Sequence, residues 1–205
     1  MTLRLNGSTS GYVELDAPAV AGTSALTLPA SSGTVATTAY ADTAGGLQLI
    51  TTQTFSAVSS VSVNNCFTGT YDNYRIVLRG TSSTATALLF RLRLSGTDNA
   101  TGSSYSTQIL DVQLTTIAGD RNTTSDGRIG AIASTLQTLC IADFAMPAVA
   151  VATGFISQSN FPNGNSAIHH TAGTHNQTVA YDGISIFPSA GTFSGTVRIY
   201  GYKNS

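Results

Sequence analysis

Charged residues are scarce: only 9% of the 205 positions are Asp, Glu, Lys or Arg, against about 25% in an ordinary globular domain. Nine basic and ten acidic side chains give a formal net charge of −1. There is thus no basic field to gather nucleic acid or anionic lipid, and no highly charged tail of the disordered kind. Long apolar runs are missing as well. No stretch reaches the roughly 18 residues that a membrane helix needs, so membrane insertion is not expected. Cysteine is limited to Cys66 and Cys140, too few for a disulfide framework. With Phe67, Leu139 and Ile141 as neighbours, both read as buried free thiols. The opening residues, Met1 to Gly7, hold one Arg and no apolar core, unlike a secretory signal. No Gly-rich phosphate loop follows a strand, and there is no Gly-x-Ser-x-Gly elbow. No cofactor is expected.

What fills the chain instead is hydroxyl: 31 Thr and 24 Ser. Their background divides the sequence in two. Residues 1–46 contain no Phe, whereas all eight Phe fall at or after position 55. Short alternations, Leu3/Leu5, Val13/Leu15 and Leu26/Leu28, read as brief strands in this first part. Turn segments separate them, at Asn6–Gly11, Ala17–Gly22 and Pro29–Gly33. At about 25 cal/mol per Å² of apolar burial, such a segment hardly offsets roughly 1–2 kcal/mol per residue of backbone ordering. It therefore reads as an attachment arm that takes its order from a sister subunit, a larger assembly or the rest of the chain.

Residues 47–205 read as an all-β domain, an antiparallel β-sandwich or jelly-roll-like fold. In Tyr74–Arg79, Tyr74, Ile76 and Leu78 share one face, and Arg75, Val77 and Arg79 the other. Ala87–Leu94 repeats the pattern, with Leu88, Phe90, Leu92 and Leu94 inward. Further strands are expected at Leu47–Phe55, Val58–Val63, Tyr105–Leu114, Arg128–Ala133, Thr138–Met146, Val149–Ser157, Gln177–Ala180, Gly183–Phe187 and Gly195–Tyr202. Turns are expected at Ser95–Asn99, Asp120–Gly127, Asn160–Asn165 and Pro188–Gly191. Short strands at this spacing, with no helical period, point to two packed sheets.

Candidate sites follow from the polar residues that break these patterns. Glycan hydrolysis normally uses two carboxyls flanking the bond, yet the one glutamate, Glu14, lies in the arm. Asp143, within Ile141–Met146, is the one aspartate deep in an apolar stretch, where an Arg partner or a hydrogen-bonded structural role is expected. His169, His170 and His175 cluster in sequence and are candidate metal ligands, although the spacing matches no zinc signature. The default reading is a polar loop. Arg75, Arg79, Arg91 and Arg93 alternate on two successive strands and could line one sheet face in pairs, with Asp72 or Asp111 as counter-ions. Such a stripe suits a subunit interface or an acidic glycan, or simply keeps a Thr-rich sheet soluble. Tyr200 and Tyr202 fall on one face with Arg198, where aromatic rings suit sugar or subunit contact.

The run from Asn6 to Val35, Asn-Gly-Ser-Thr-Ser-Gly-Tyr-Val-Glu-Leu-Asp-Ala-Pro-Ala-Val-Ala-Gly-Thr followed by Ser-Ala-Leu-Thr-Leu-Pro-Ala-Ser-Ser-Gly-Thr-Val, resembles a phrase common in structural proteins of tailed bacteriophages. Tyr71–Leu78 and the closing Gly195–Ser205 are similar to the β-rich distal domains of their fibres. The resemblance implies a location on the outside of a virion and a homotrimer. It also implies an anchor at residues 1–46 that joins other virion proteins, and a knob at 47–205 that meets host surface glycan. No catalytic motif carries over, so a non-enzymatic tail fibre is expected. Tail fibres are often longer than this chain, which keeps a capsid decoration protein (cement or head fibre) as the alternative. A glycan-degrading enzyme is a further, minor one. Deleting residues 1–46 should leave 47–205 folded, with an unchanged thermal transition, while abolishing incorporation into particles. Aggregation of the truncated chain would place the boundary elsewhere.

Overall fold

The computed structural model describes residues 3–6, 8–15, 46–162 and 167–203. The chain divides into two units, Met1–Thr43 and Ala44–Ser205. In the first, β1 (Leu3–Asn6) and β2 (Tyr12–Leu15) form an antiparallel hairpin, matching the first two apolar alternations. Arg4 pairs with Glu14 at 2.5 Å and lies 3.9 Å over the Tyr12 ring. Both charges are exposed, where an ion pair contributes little, and a lone two-stranded hairpin is marginal in water. The Leu26/Leu28 alternation and the turns at Ala17–Gly22 and Pro29–Gly33 lie outside the described residues.

The second unit is all β, with no helix among the described residues. Its strands are β3 (Leu47–Val58), β4 (Val61–Val63), β5 (Asn73–Ser82), β6 (Thr86–Leu94), β7 (Thr97–Asp98), β8 (Tyr105–Gln113), β9 (Thr116–Thr124), β10 (Gly127–Ile132), β11 (Thr138–Ala145), β12 (Thr153–Phe161), β13 (Ala167–His175), β14 (Gly183–Pro188) and β15 (Phe193–Tyr202). They build two antiparallel sheets in a sandwich-like arrangement. The larger has eight strands in the order β3-β15-β5-β11-β12-β13-β8-β9. The smaller has five, β10-β6-β14-β4 with β7 beside β6. Period-two burial explains the pairing of faces: Tyr74, Ile76 and Leu78 of β5, Phe144 of β11 and Val197 and Ile199 of β15 turn inward from the larger sheet. Leu88, Phe90 and Leu92 of β6 and Ile184 and Ile186 of β14 meet them from the smaller.

The core centres on Phe90. Its ring stands edge-on to Phe144 at 5.0 Å, Phe155 at 4.8 Å and Tyr105 at 5.6 Å, the geometry that aromatic quadrupoles favour. The buried tyrosine hydroxyls find partners. Tyr105 accepts from Leu92 N and donates to Asn99 O, both at 3.0 Å, and Tyr74 donates to Thr68 O at 2.6 Å. Cys66 and Cys140 are buried and free, and burial pushes both thiols up to about 12.

Several strands depart from the sequence expectation for physical reasons. β9 occupies a segment expected to begin a turn; it is an edge strand exposed along nearly its whole length, so it needs no apolar alternation. β13 replaces a polar loop because its inward positions are His169, Thr171 and His175, which disguise the period. The expected strand Gln177–Ala180 has no regular structure, and the one expected from Val149 starts only at Thr153, after a turn. At Val58–Val63, a break at Ser59–Ser60 ends β3 and leaves β4 with three residues. The turn expected at Asn160–Asn165 overlaps the end of β12 and otherwise falls largely outside the described residues.

Gly127 opposes Phe90, and a Cβ there would lie 2.2 Å from the ring. Gly127→Ala should therefore cost about 1–3 kcal/mol, as overpacking does, and lower the thermal midpoint by several degrees. An unchanged midpoint would show that the Phe90 cluster is not tightly packed.

Candidate functional site

The outer face of the larger sheet carries a groove of about 990 Å³. Cross-strand register builds it. One row runs Tyr200, Arg75, Asp143, Ile156, Ala172, Gln108, Arg121 from β15 to β9. The next runs Asn73, Ala145, Gly154, Thr174, Ser106. The floor is made by small residues at Ala145, Gly154 and Ala172, so the sheet is hollowed where its side chains are shortest. At Gly154 a Cβ would meet only that of Ala145, at 4.0 Å; the glycine is there for room, not for backbone strain.

One wall is an ordered polar cluster. Arg75 donates Nε to Asp143 Oδ1 at 2.8 Å and Nη2 to Oδ2 at 2.7 Å, a bidentate pair. Tyr202 donates its hydroxyl to Oδ1 at 2.7 Å, and the guanidinium lies 5.4 Å from its ring centroid. Partial burial pushes the Asp143 carboxyl up, but hydrogen bonds from Arg75 and Tyr202 and the charge of Arg75 outweigh it and hold the group below the usual carboxylate value. Tyr202 is pushed up to about 12 by burial and by the carboxylate it serves. Asp143 is therefore an ionised acceptor with its geometry fixed, not a proton donor. The opposite wall is Gln108 and Arg121; Gln108 donates to Asp120 O at 3.1 Å, and Arg121 forms no ion pair among the described residues. Asn73 and Lys203 close the end beside Tyr202. A groove with an apolar floor and fixed donors and acceptors on both walls can bind a hydroxyl-rich chain.

The expected arginine stripe is not formed. Arg75 and Arg79 are on β5 in the larger sheet, while Arg91 and Arg93 are on β6 in the smaller one. The short link between the strands crosses from one sheet to the other, because their apolar faces pack against each other across the core. The counter-ion of Arg75 is Asp143, not Asp72 or Asp111. Arg79 is exposed on the outer face. Arg91 donates to Ser125 O at 3.2 Å and pairs with Asp126 at 3.5 Å. Arg93 is tied to Asp98, Asn64, Ser62 and Ser185, so both brace loops of the smaller sheet. Tyr200 and Tyr202 share the outer face, as their spacing implied, and Tyr202 enters the groove. The residues that sequence reasoning missed are Asn73, Gln108, Arg121, Gly154, Ile156 and Ala172; no local pattern marks them, since only register across five strands assembles them.

The histidines do not converge. His169 and His175 point inward on β13 and His170 points outward, which places the two buried rings about 20 Å apart along the strand. No group of three or more His, Cys, Asp or Glu among the described residues could hold a metal. His175 Nε2 lies 2.6 Å from the Tyr181 hydroxyl and its ring stacks on Tyr105 at 4.0 Å. His169 Nδ1 is 3.9 Å from Asp111 Oδ1, and neither ring nitrogen of His169 has a hydrogen-bond partner among the described residues.

No family model matches the chain, and no curated protein does. Among solved structures, a fructofuranosidase from Schwanniomyces occidentalis complexed with fructosylnystose is similar at 10% identity and a TM-score of 0.25. That match takes in 97% of this chain, which spans only 38% of the fructofuranosidase. A protein of unknown function from Shewanella oneidensis MR-1 is similar at 9% identity and a TM-score of 0.23, over 82% of this chain and 83% of the other.

Burial favours the neutral form of both inward histidines. It pulls His175 down from 6.5 to about 4, against a raising contact from Ser104, and pulls His169 down despite Asp111. Between these values the unfolded chain takes up protons that the folded one refuses, so stability falls as pH drops from about 6.5 toward about 4. The depressed carboxyl of Asp143 still contributes there and loses its contribution only below its ordinary 3.8. A thermal midpoint that declines by several degrees across that window is expected; a flat profile would contradict the buried neutral histidines.

Proposed function

We propose that this chain is a non-enzymatic structural protein of a tailed-bacteriophage virion. In this reading it is a short trimeric tail fibre whose residues 1–46 attach to other virion proteins and whose sandwich binds a host-surface glycan in the groove. The virion assignment draws on the resemblance of residues 6–35 and of the closing strand to phage fibre proteins. The groove is the observation that carries the binding reading. It is open along the sheet, its floor is small and apolar enough for sugar C–H faces, and its walls offer Tyr202, Asp143, Gln108, Asn73 and Arg121 to hydroxyls. Asp143 is the one carboxylate among its described lining residues. It is held ionised by Arg75, whereas glycoside hydrolysis uses two carboxyls, one of them protonated. Shallow contacts of this kind bind weakly one at a time and gain strength through repetition in an oligomer. Copy number separates this reading from capsid decoration: a fibre is present at a multiple of tail symmetry, a decoration protein in the tens or hundreds.

Gly154→Val fills the groove floor without a backbone clash. Titration of host polysaccharide into the full chain should show at least a tenfold loss of affinity in this variant, about 1.4 kcal/mol, with the thermal midpoint preserved. Binding equal to that of the unaltered chain would remove the groove as the glycan site.

A further inference from the structure

Charge is divided unevenly between the two sides of the larger sheet. Register turns all the arginines of its strands outward: Arg75, Arg79, Arg121 and Arg198. Of the aspartates on the same strands, only Asp143 shares that face. Asp111 stands opposite the inward His169 and Asp120 opposite the buried Ile109, so both lie on the inner side. The outward carboxylate is already held by Arg75. Arg79, Arg121 and Arg198 are exposed and make no ion pair or side-chain hydrogen bond among the described residues. Four guanidiniums against one carboxylate leave this face positive in a chain whose formal net charge is −1.

These arginines flank the groove. Arg121 stands on its β9 wall. At the other end Arg75 grips Asp143, and two of its five N–H donors are spent there, which leaves three for an incoming group. Arg198 lies opposite Val77, a diagonal neighbour of both Arg75 and Arg79 at roughly 7–8 Å. Lys203 adds a cation at that end of the groove. The order β5-β11-β12-β13-β8-β9, at a strand spacing of about 4.8 Å, sets the two cationic ends about 24 Å apart. The floor of small residues runs between them.

We propose that the groove selects an acidic glycan, with Arg121 as the specificity-determining residue on one wall and Arg79 and Arg198 receiving further anionic groups at the opposite end. The proposal rests on the glycan-binding reading above and names the class of sugar. A face that owes only its solubility to charge mixes both signs, whereas here the carboxylates are turned inward or already paired. The guanidinium fork matches carboxylate and phosphate oxygens two at a time, so uronate or phosphate substituents on a sugar chain suit these residues. Nucleic acid suits them less. Single strands are held by stacking bases on aromatic rings, but the floor at Ala145, Gly154 and Ala172 has none, and the rings of Phe144 and Phe155 are buried. A duplex carries one charge per about 1.7 Å, yet over about 24 Å it would meet guanidiniums only at the two ends.

The test separates host polysaccharide by anion exchange into neutral and acidic fractions and titrates each into the full chain. The acidic fraction is expected to bind about tenfold more tightly, as two or three exposed charge pairs allow, and to weaken in about 1 M salt, where the Debye length is about 3 Å. Arg121→Gln alters an exposed side chain and should bind the acidic fraction about fivefold more weakly, the scale of one such pair. Its thermal midpoint and its affinity for the neutral fraction should not change. Arg79→Gln combined with Arg198→Gln should lose a similar factor. Reducing the carboxyls of the acidic fraction to alcohols distinguishes the two anions: binding lost assigns uronate, and binding kept assigns phosphate. Equal affinity for the two fractions would overturn the selection of acidic sugar and leave the groove as a glycan site, whereas binding of neither would remove both. An Arg121→Gln chain that binds the acidic fraction as the unaltered chain does would overturn the role given to Arg121. A single-stranded oligonucleotide bound as tightly as the acidic fraction would overturn the selection of sugar.

Discussion

The packing of Phe90 against Phe144, Phe155 and Tyr105 fixes where the two sheets meet, and the rest of the domain is arranged by what that contact can and cannot cover. The ring comes from the smaller sheet and touches β8, β11 and β12 of the larger. The smaller sheet's edge strand β10 lies over β12, β13 and β8 but leaves β9 exposed. A sandwich with sheets of unequal width has to leave part of the wider one uncovered. Here the uncovered part is the inner side of β9, while the groove lies on the sheet's other, outward face. The close fit of Gly127 to Phe90 belongs to the same constraint, since no side chain fits between them.

With so few charges, most of those described have a definite task. Arg93 ties a strand pair and two loops together, Arg91 holds the turn before β10, and Arg75 fixes Asp143 in place with help from Tyr202. That last cluster is half-exposed, so its value lies less in stability, where exposed ion pairs contribute little, than in holding a carboxylate, a guanidinium and a phenol in a constant arrangement beside an open groove. The abundance of Thr and Ser has a related consequence. Hydroxyls keep the sheet surfaces wettable without charge, and some are turned inward with His169 and His175 to make the second half of the core unusually polar.

Strands whose inner faces are apolar were readable from sequence: β5, β6, β11, β14 and β15 follow the alternation of Tyr74/Ile76/Leu78, Leu88/Phe90/Leu92 and Val197/Ile199. Those that carry polar residues inward, as β13 does, or that lie exposed at an edge, as β9 does, have no such period and were read as loops. The pairing of Asp143 with an arginine was also foreseeable, because a carboxylate amid Ile141, Phe144 and Met146 needs a partner. Which arginine it is depends on register between strands nearly seventy residues apart. The grouping of Arg75 and Arg79 with Arg91 and Arg93 failed for the same kind of reason: alternation tells which side of a strand a residue occupies, but not which sheet the strand joins. Gly154 and Ala172 look unremarkable in the sequence and matter only as neighbours across β12 and β13.

Groove and open hairpin lie on one sheet, so the account stands on the claim that the outward face of this sheet, and not the smaller sheet or the loops, is where the domain meets other molecules. Hydrogen exchange of the full chain, recorded with and without host polysaccharide, tests it most directly. The account predicts added protection concentrated in the amides of β12, β13 and β8 around Gly154, Thr174 and Ser106. Protection confined to β6 and β14, or spread over the loops with those strands unchanged, would contradict it.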